Sequence, residues 1–342
     1  MARSQQFSNV VVAGVAHVDA PHVITSEDIE SRLAETMTRL RMPAGTLTGL
    51  AGINARRYWD EGTKPSDAAA MAGGKLLADI GIDRRDIGAV INTSVDRDWL
   101  EPSTACIVHH KLGLPAEALN FDVGNACLGF INGMALTAAM IERGDIDHGI
   151  VVDGESARFV VESTIARLAD PSCDRDLFRA SYATLTLGSG AAAMLLSRQD
   201  LAEDGHPFRG VVSRAATEHH ELCQGQPDDM RTDATGLLTA GLALAKDTWQ
   251  DAVDVFGWDT GTLDAAFIHQ VSRAHTRSVT AALSLRQDRI PLLYPSYGNI
   301  GPAGLIITWS KEADAGRLTP GDRLGLLGIG SGLNCAMAEV LW

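Results

Sequence analysis

The stretch from Leu119 to Met134, Leu-Asn-Phe-Asp-Val-Gly-Asn-Ala-Cys-Leu-Gly-Phe-Ile-Asn-Gly-Met, constrains this chain more than any other. Its first half alternates apolar Leu119, Phe121 and Val123 with Asn120, Asp122 and Gly124, which is the period of a strand. Its second half carries Leu128, Ile131, Met134, Ala135 and Ala138 at helical spacing, as far as a stop at Arg143-Gly144. Cys127 therefore stands where a strand turns sharply into a helix, with Gly124 and Gly129 leaving room for the turn and for a substrate. The positive end of a helix dipole favours a thiolate at such a place. The unpartnered N–H groups of a first helical turn can also hold an oxyanion. Most free cysteines are small buried core residues, and against that prior this stretch alone leaves nucleophile and core filler evenly matched.

A chain of 342 residues with 45% hydrophobic content and no low-complexity tract builds one large or two medium globular units. The net charge of −14 argues against general nucleic-acid binding and gives no attraction to anionic membranes. It leaves open an anionic ligand held by a local basic patch. There is no long apolar run to span a membrane. The N-terminus lacks the apolar core of a signal peptide. Cysteines 106, 127, 173, 223 and 335 are odd in number and show no Cys-x-x-Cys spacing. A disulfide framework and a zinc site are therefore not expected, and a reducing cytoplasm fits.

Apolar runs and helical patterns alternate from end to end, which predicts a layered α/β fold. Strands are expected at Val10–Ala16, Ile87–Thr93, Leu119–Val123, Gly149–Asp153 and Ala191–Ser197, and helices at Ser26–Arg41, Ser66–Ile80, Ser103–Leu112 and Cys127–Arg143. The polar stretch Arg198–Pro207 links this part, residues 1–200, to a second, 205–342. There the strands fall at Val211–Ala215, Ala265–His269, Leu324–Ile329 and Ala336–Leu341, and the helices at Leu237–Val255, Ala274–Leu283 and Gly304–Ala315. The two halves share an order of elements, so a duplicated α/β architecture is expected. Residues 156–188 fit neither half and read as an excursion that lines or covers a site.

Two stretches in the second half offer partners for Cys127. Phe267-Ile-His269-Gln-Val-Ser272 is an apolar strand that delivers a histidine just before a helix. Tyr297-Gly-Asn299-Ile-Gly-Pro-Ala-Gly304 is a glycine-rich turn that opens another helix. Taken singly, His269 reads as a core group and Asn299 as a turn residue. Together with Cys127 they supply a nucleophile, an acid/base or oxyanion donor, and a second neutral donor. Gly328-Ile-Gly-Ser331-Gly332-Leu-Asn334 adds a backbone loop with a further N–H, and no helix follows it as a phosphate loop requires.

These motifs resemble the thiolase superfamily, in its ketoacyl synthase III-like branch, over essentially the whole chain. The residues that carry the likeness are Asn-Ala-Cys127-Leu-Gly-Phe, Ile-His269-Gln-Val-Ser-Arg, Gly-Asn299-Ile-Gly-Pro-Ala and the closing Gly-Ile-Gly-Ser-Gly-Leu-Asn. Within the branch, Glu101-Pro-Ser-Thr is similar to the enzymes that join two long-chain acyl-CoA molecules head to head in bacterial olefin synthesis. Further support comes from Ala-His17-Val-Asp-Ala-Pro-His22, Ala-Gly-Ile-Asn-Ala-Arg-Arg57, Asn92-Thr-Ser and Val-Val-Asp153-Gly-Glu155.

The resemblance implies a thiolase fold of two similar α/β halves in an α-β-α-β-α arrangement. It implies that Cys127 carries one fatty acyl chain as a thioester, while His269 and Asn299 stabilise the enolate of the second acyl-CoA. Saturated acyl-CoA has no carboxylate to lose, so a base is needed, and Glu101 matches a base that reaches in from the other subunit of a homodimer. The backbone N–H groups of Cys127 and Ser331 match a second oxyanion site, with Gly332 beside them. The product is a 2-alkyl-3-ketoacyl chain released as the β-keto acid. Coenzyme A thioesters are substrates and no cofactor is expected. The homodimer leaves room for association with downstream olefin-pathway enzymes.

From the residues alone, Glu101 beside Pro102 and Ser103 reads as a solvated residue in the first turn of a helix. Phe130, Met134 and residues 156–188 are tunnel walls or ordinary core on equal terms. Three rival readings stand. One is a decarboxylating 3-oxoacyl synthase III that uses malonyl-carrier protein and has no need of Glu101. Another is a Cys-His-Asn hydrolase, whose signature around the nucleophile is absent. The last is a catalytically silent scaffold subunit of a condensing complex.

Overall fold

A computed structural model describes residues 4–259 and 261–342; the first three residues, part of the N-terminus read above as lacking a signal peptide, lie outside it. The strands are β1 (Val10–Asp19), β2 (Ile87–Asn92), β3 (Leu119–Asp122), β4 (His148–Glu155), β5 (Gly190–Arg198), β6 (His206–Ala215), β7 (Ala265–Ile268), β8 (Arg323–Gly330) and β9 (Asn334–Leu341). They form one mixed sheet in the order β7-β8-β9-β6-β1-β5-β4-β2-β3, with Ser4–Gln6 added on β6. The β2–β3, β2–β4 and β7–β8 pairs are parallel, and the remaining pairs along this order are antiparallel. The two halves meet where β1 pairs with the start of β6 through Val11–Pro207 and Val12–His206.

Helices α1 (Pro65–Ile80), α2 (Thr104–Leu112), α3 (Gly129–Arg143), α4 (Ala234–Phe256), α5 (Arg273–Ala282) and α6 (Ala303–Asp314) fall where the apolar spacing places them. Their faces sort into layers. Along β5, Ala191, Ala193 and Leu195 pack with Leu76 and Leu77 of α1 and Val108 of α2. The alternate residues Ala192, Met194 and Leu196 face the other way, onto α3 and α6. Phe130, Met134, Ile306 and Trp309 of those two helices also meet Phe267, Leu326 and Ala338 of the second half. A helix that is apolar on most of its surface belongs in such an interior layer. Outside the second half, Leu244 and Ala252 of α4 and Val279 of α5 close the stack. This is the expected α-β-α-β-α arrangement, and it puts the head of α3 at the centre of the molecule.

One predicted helix differs. Ser26–Arg41 is broken at Leu33 into Ser26–Arg32 and Ala34–Arg39. Its cap is Thr25, whose side chain accepts from the Asp28 N–H while Asp28 accepts from the Thr25 N–H. Ser26 instead donates to the Ile53 carbonyl at 2.7 Å. The excursion at 156–188 contains helices Arg158–Ala169 and Arg175–Ser181, which bury Val161, Leu168 and Phe178 against Ile29 and Leu33 in a core of their own. Among the described residues, no helix is long and apolar enough to cross a membrane.

Candidate active site

Cys127 lies between the end of β3 and the start of α3, as its sequence context requires. The strain of the turn is carried by Ala126, whose φ of +44° lies in the left-handed region, and not by the flanking glycines. Those glycines serve close packing. A Cβ on Gly129 would stand 2.7 Å from the Thr93 carbonyl oxygen, and one on Gly124 would stand 3.1 Å from Arg97 Nη2. The end of β8 runs past the same turn, so that a Cβ on Gly330 would stand 3.4 Å from the Cys127 nitrogen. Ser331 and Gly332 follow directly, and the φ of +122° at Gly332 is one that only glycine adopts with ease.

Three asparagines tie these pieces together. Asn125 Nδ2 donates to Asn132 Oδ1 at 2.7 Å, and Asn334 Nδ2 donates to Asn125 Oδ1 at 3.3 Å. Nothing in the sequence marks them as a set, because topology alone brings Asn334 to the turn.

The thiol is not the ready thiolate that a helix N-terminus predicts. Burial first, then the neighbouring Cys223 and Glu155, push Cys127 up to about 12. The reason is local. The N–H groups of Leu128 and Gly129 already donate to the Asn125 and Ala126 carbonyls, at 3.0 and 3.1 Å. A helix dipole worth about 1 kcal/mol does not offset that degree of desolvation. At neutral pH the resting group is Cys127 S–H.

His269 follows β7 directly, and its N–H donates to the Leu327 carbonyl of β8 at 2.9 Å, which locks the strand end in place. Burial first, and the nearby His275 second, hold its imidazole down to about 3, against the Gly301 backbone acting the other way. His269 is therefore a neutral ring, suited to donating a hydrogen bond and not to removing a proton from carbon. Asn299 occupies the turn before α6. Its backbone is pinned to the excursion, with the Asn299 N–H donating to the Thr186 carbonyl at 2.9 Å and the Gly188 N–H donating to the Asn299 carbonyl at 2.8 Å. Its Oδ1 accepts from the Gly301 N–H at 3.0 Å, which leaves Nδ2 as the outward donor. The excursion thus acts on the site by holding Asn299. Phe130 and Met134 are fully buried core. Beside His269 lies an apolar cavity lined by Ile268, His275, Val279, Leu327, Cys335 and Met337.

Glu101 is exposed, on the loop between β2 and α2. It precedes Ser103, the residue that caps α2, so it is outside the helix and not in its first turn. The loop is anchored at both ends. Asp98 accepts from Ser66 N–H and Oγ–H at 2.9 and 2.6 Å, and Asp122 accepts from the N–H groups of Thr104 and Ala105 at 3.0 and 2.8 Å. Its tip nevertheless presents Trp99 and Leu100 to solvent, 59% and 93% exposed. Glu101 thus stands beside an exposed apolar patch. Among the described residues, no cluster of His, Cys, Asp and Glu is placed to hold a metal ion.

Residues 121–216 match the family described as 3-Oxoacyl-[acyl-carrier-protein (ACP)] synthase III, and residues 254–342 match 3-Oxoacyl-[acyl-carrier-protein (ACP)] synthase III C terminal. The acyl-CoA:acyl-CoA alkyltransferase of Xanthomonas campestris pv. campestris is 49% identical over 336 residues, which is 98% of this chain and 99% of that protein. The protein of the same name from Shewanella oneidensis is 39% identical over 350 residues, covering 98% of this chain and 100% of its own. The crystal structure of cerulenin-bound Xanthomonas campestris OleA matches with a TM-score of 0.97 at 49% identity, over 98% of each chain. Other crystal structures of that OleA carry single substitutions at a cysteine, a histidine or a glutamate.

Proposed function

The chain belongs to the acyl-CoA:acyl-CoA alkyltransferase (OleA) family, within the thiolase-fold ketoacyl synthase III group, and is an acyltransferase that condenses two acyl-CoA molecules; we propose that it does so through Cys127, with Glu101 of a second copy as base. The observation that carries this reading is the division of labour in the site. His269 is neutral, Asn299 offers an N–H, and the exposed Glu101 stands on a loop whose apolar tip, Trp99 and Leu100, is largely open to solvent in a single chain. The substituted cysteine, histidine and glutamate of the Xanthomonas campestris structures are separated by the same intervals as Cys127, His269 and Glu101, which supports the assignment.

In the first half-reaction Cys127 Sγ attacks the thioester carbonyl of a long-chain acyl-CoA. The Sγ–H proton ends on the departing coenzyme A sulfur, leaving acyl-Cys127 and free CoA. The N–H groups of Cys127 and Ser331 face the developing oxyanion, with Gly332 supplying the backbone shape beside them. In the second half-reaction the carbonyl of another acyl-CoA accepts hydrogen bonds from His269 and Asn299 Nδ2. The partner's Glu101 carboxylate takes the α-proton, which is made acidic by that hydrogen bonding. The enolate carbon attacks the acyl-Cys127 carbonyl, and collapse expels the Cys127 thiolate, which recovers a proton from Glu101. The 2-alkyl-3-ketoacyl-CoA so formed is hydrolysed to the β-keto acid, the first intermediate of a long-chain olefin route. No cofactor enters either half-reaction.

The reading is tested by incubating the protein with myristoyl-CoA, following free CoA and identifying extracted products by mass. A ketone of nearly twice the chain length, from spontaneous loss of CO₂ by the β-keto acid, supports it, whereas myristic acid alone would make the protein a thioesterase. Replacing His269 by alanine is expected to lower condensation about 10²- to 10³-fold, the usual cost of one oxyanion donor. Acyl-Cys127 should still accumulate in that variant, as read by intact-protein mass. Condensation at the wild-type rate in His269→Ala would remove the histidine from the mechanism.

A further inference from the structure

Two buried carboxyls next to Cys127 have no part in the reaction as drawn. β4 runs two residues beyond its predicted end, and its last turn inward places Asp153 and Glu155 on one face, 0% and 8% exposed. Thr93 Oγ–H donates to Asp153 Oδ2 at 2.6 Å, and the Val95 N–H donates to Glu155 Oε1 at 2.7 Å. Asp153 Oδ1 is buried and has no donor among the described residues unless Glu155 carries a proton. The pair touches both walls of the site. Thr93, which Asp153 holds, packs against Gly129 at the head of α3. The Glu155 carboxyl carbon stands 3.3 Å from where a Cβ on Gly301 would be, beneath the turn that aims Asn299. Val95 also lies on the loop that carries Glu101.

Two carboxylates buried together do not both ionise at neutral pH, so they share a proton. Burial raises both, Asp153 to about 7 and Glu155 well above the usual carboxylate range, where Asp153 adds to the effect. The titratable groups that face Glu155 are Asp153 on its own strand, Asp96 on the Glu101 loop and Cys127 at the head of α3. We propose that Asp153 and Glu155 are positioning residues that share one proton, hold the Asn299–Gly301 turn and the Glu101 loop in register, and keep a second negative charge away from Cys127. This role rests on Cys127 being the acyl carrier.

The sign of the effect follows. Near pH 7 the pair comes to carry one charge and one shared proton, the shared proton is lost only at higher pH, where Glu155 titrates, and each added charge opposes both the Cys127 thiolate and the oxyanion formed beside it. Glu155→Gln keeps an acceptor for Val95 and a donor for Asp153 but has no proton to lose. Acylation of Cys127 by myristoyl-CoA, followed by rapid-quench intact mass, should therefore favour the variant increasingly with pH. The ratio of the Glu155→Gln rate to the wild-type rate is expected to rise about tenfold between pH 6.5 and 9, as one extra charge at close range dictates. Glu155→Leu, which removes both hydrogen bonds, is expected to slow acylation about tenfold or more across that range. A ratio that stays flat with pH, or a Glu155→Leu enzyme acylated at the wild-type rate, overturns the proposal while leaving Cys127 as the acyl carrier. A wild-type protein that gains no acyl adduct on Cys127 overturns the carrier assignment itself, and the pair's role with it.

Discussion

Cys127→Ala is expected to abolish release of CoA from acyl-CoA, a loss of about 10⁴-fold or more, because a residue that carries the covalent intermediate cannot be bypassed. No other thiol is placed to replace it. Cys223 lies near enough to raise the Cys127 thiol but is engaged with Thr232 Oγ at 3.5 Å on a short hairpin, and Cys335 is buried within β9. The fold should survive the change, since the Asn125–Asn132–Asn334 links that shape the turn do not involve the sulfur. The measurement is free thiol released from myristoyl-CoA, together with intact-protein mass. Release above one hundredth of the wild-type rate would show that acyl transfer proceeds through another group.

Glu101→Ala is expected to separate the two half-reactions. Acyl-Cys127 should form as in the wild type, because Glu101 is on an exposed loop and has no part in building its own chain's Cys127 turn. Carbon–carbon bond formation should fall about 10²- to 10⁴-fold, the range lost when a general base is removed. The trapped acyl chain then leaves only by slow hydrolysis, as free fatty acid. A decarboxylating synthase behaves differently, since loss of CO₂ makes its carbanion and no base is required. Full condensing activity in Glu101→Ala would therefore return the protein to that rival class. Product mass distinguishes the two cases in one assay.

The residues proposed to carry the chemistry were singled out in the sequence for a physical reason. Cys127, His269 and Asn299 each sit at the boundary between an apolar run and a glycine-bearing turn, and such boundaries are visible in one dimension. The layered fold was legible on the same ground, because strands that bury both faces and helices with one apolar stripe leave different periods. What was not legible depends on contacts between distant segments. The thiol state of Cys127 reflects burial beside Glu155 and Cys223, which local spacing does not encode. Ala126 takes the left-handed φ although glycines are close by, since Gly129 is needed for the approach of Thr93. Glu155 lies two residues past the predicted end of its strand, and its setting emerges only where β4, the Val95 loop and the Gly301 turn converge on it. The break at Leu33 has the same origin. Leu33 is buried with Val161 and Leu168 of the excursion, and that packing outweighs a continuous helical register.

The proposed mechanism requires a base supplied across a dimer, and subunit complementation probes that requirement. Cys127→Ala and Glu101→Ala chains, each inactive in condensation alone, are co-expressed with different affinity tags, and the mixed dimer is purified and assayed with myristoyl-CoA. One of its two sites then combines an intact Cys127 with an intact Glu101 from the other chain, and about half of the wild-type ketone yield is predicted, as two-fold symmetry requires. A mixed dimer as inactive as its parents would contradict a base supplied in trans, because it would place the base on the same chain as the nucleophile.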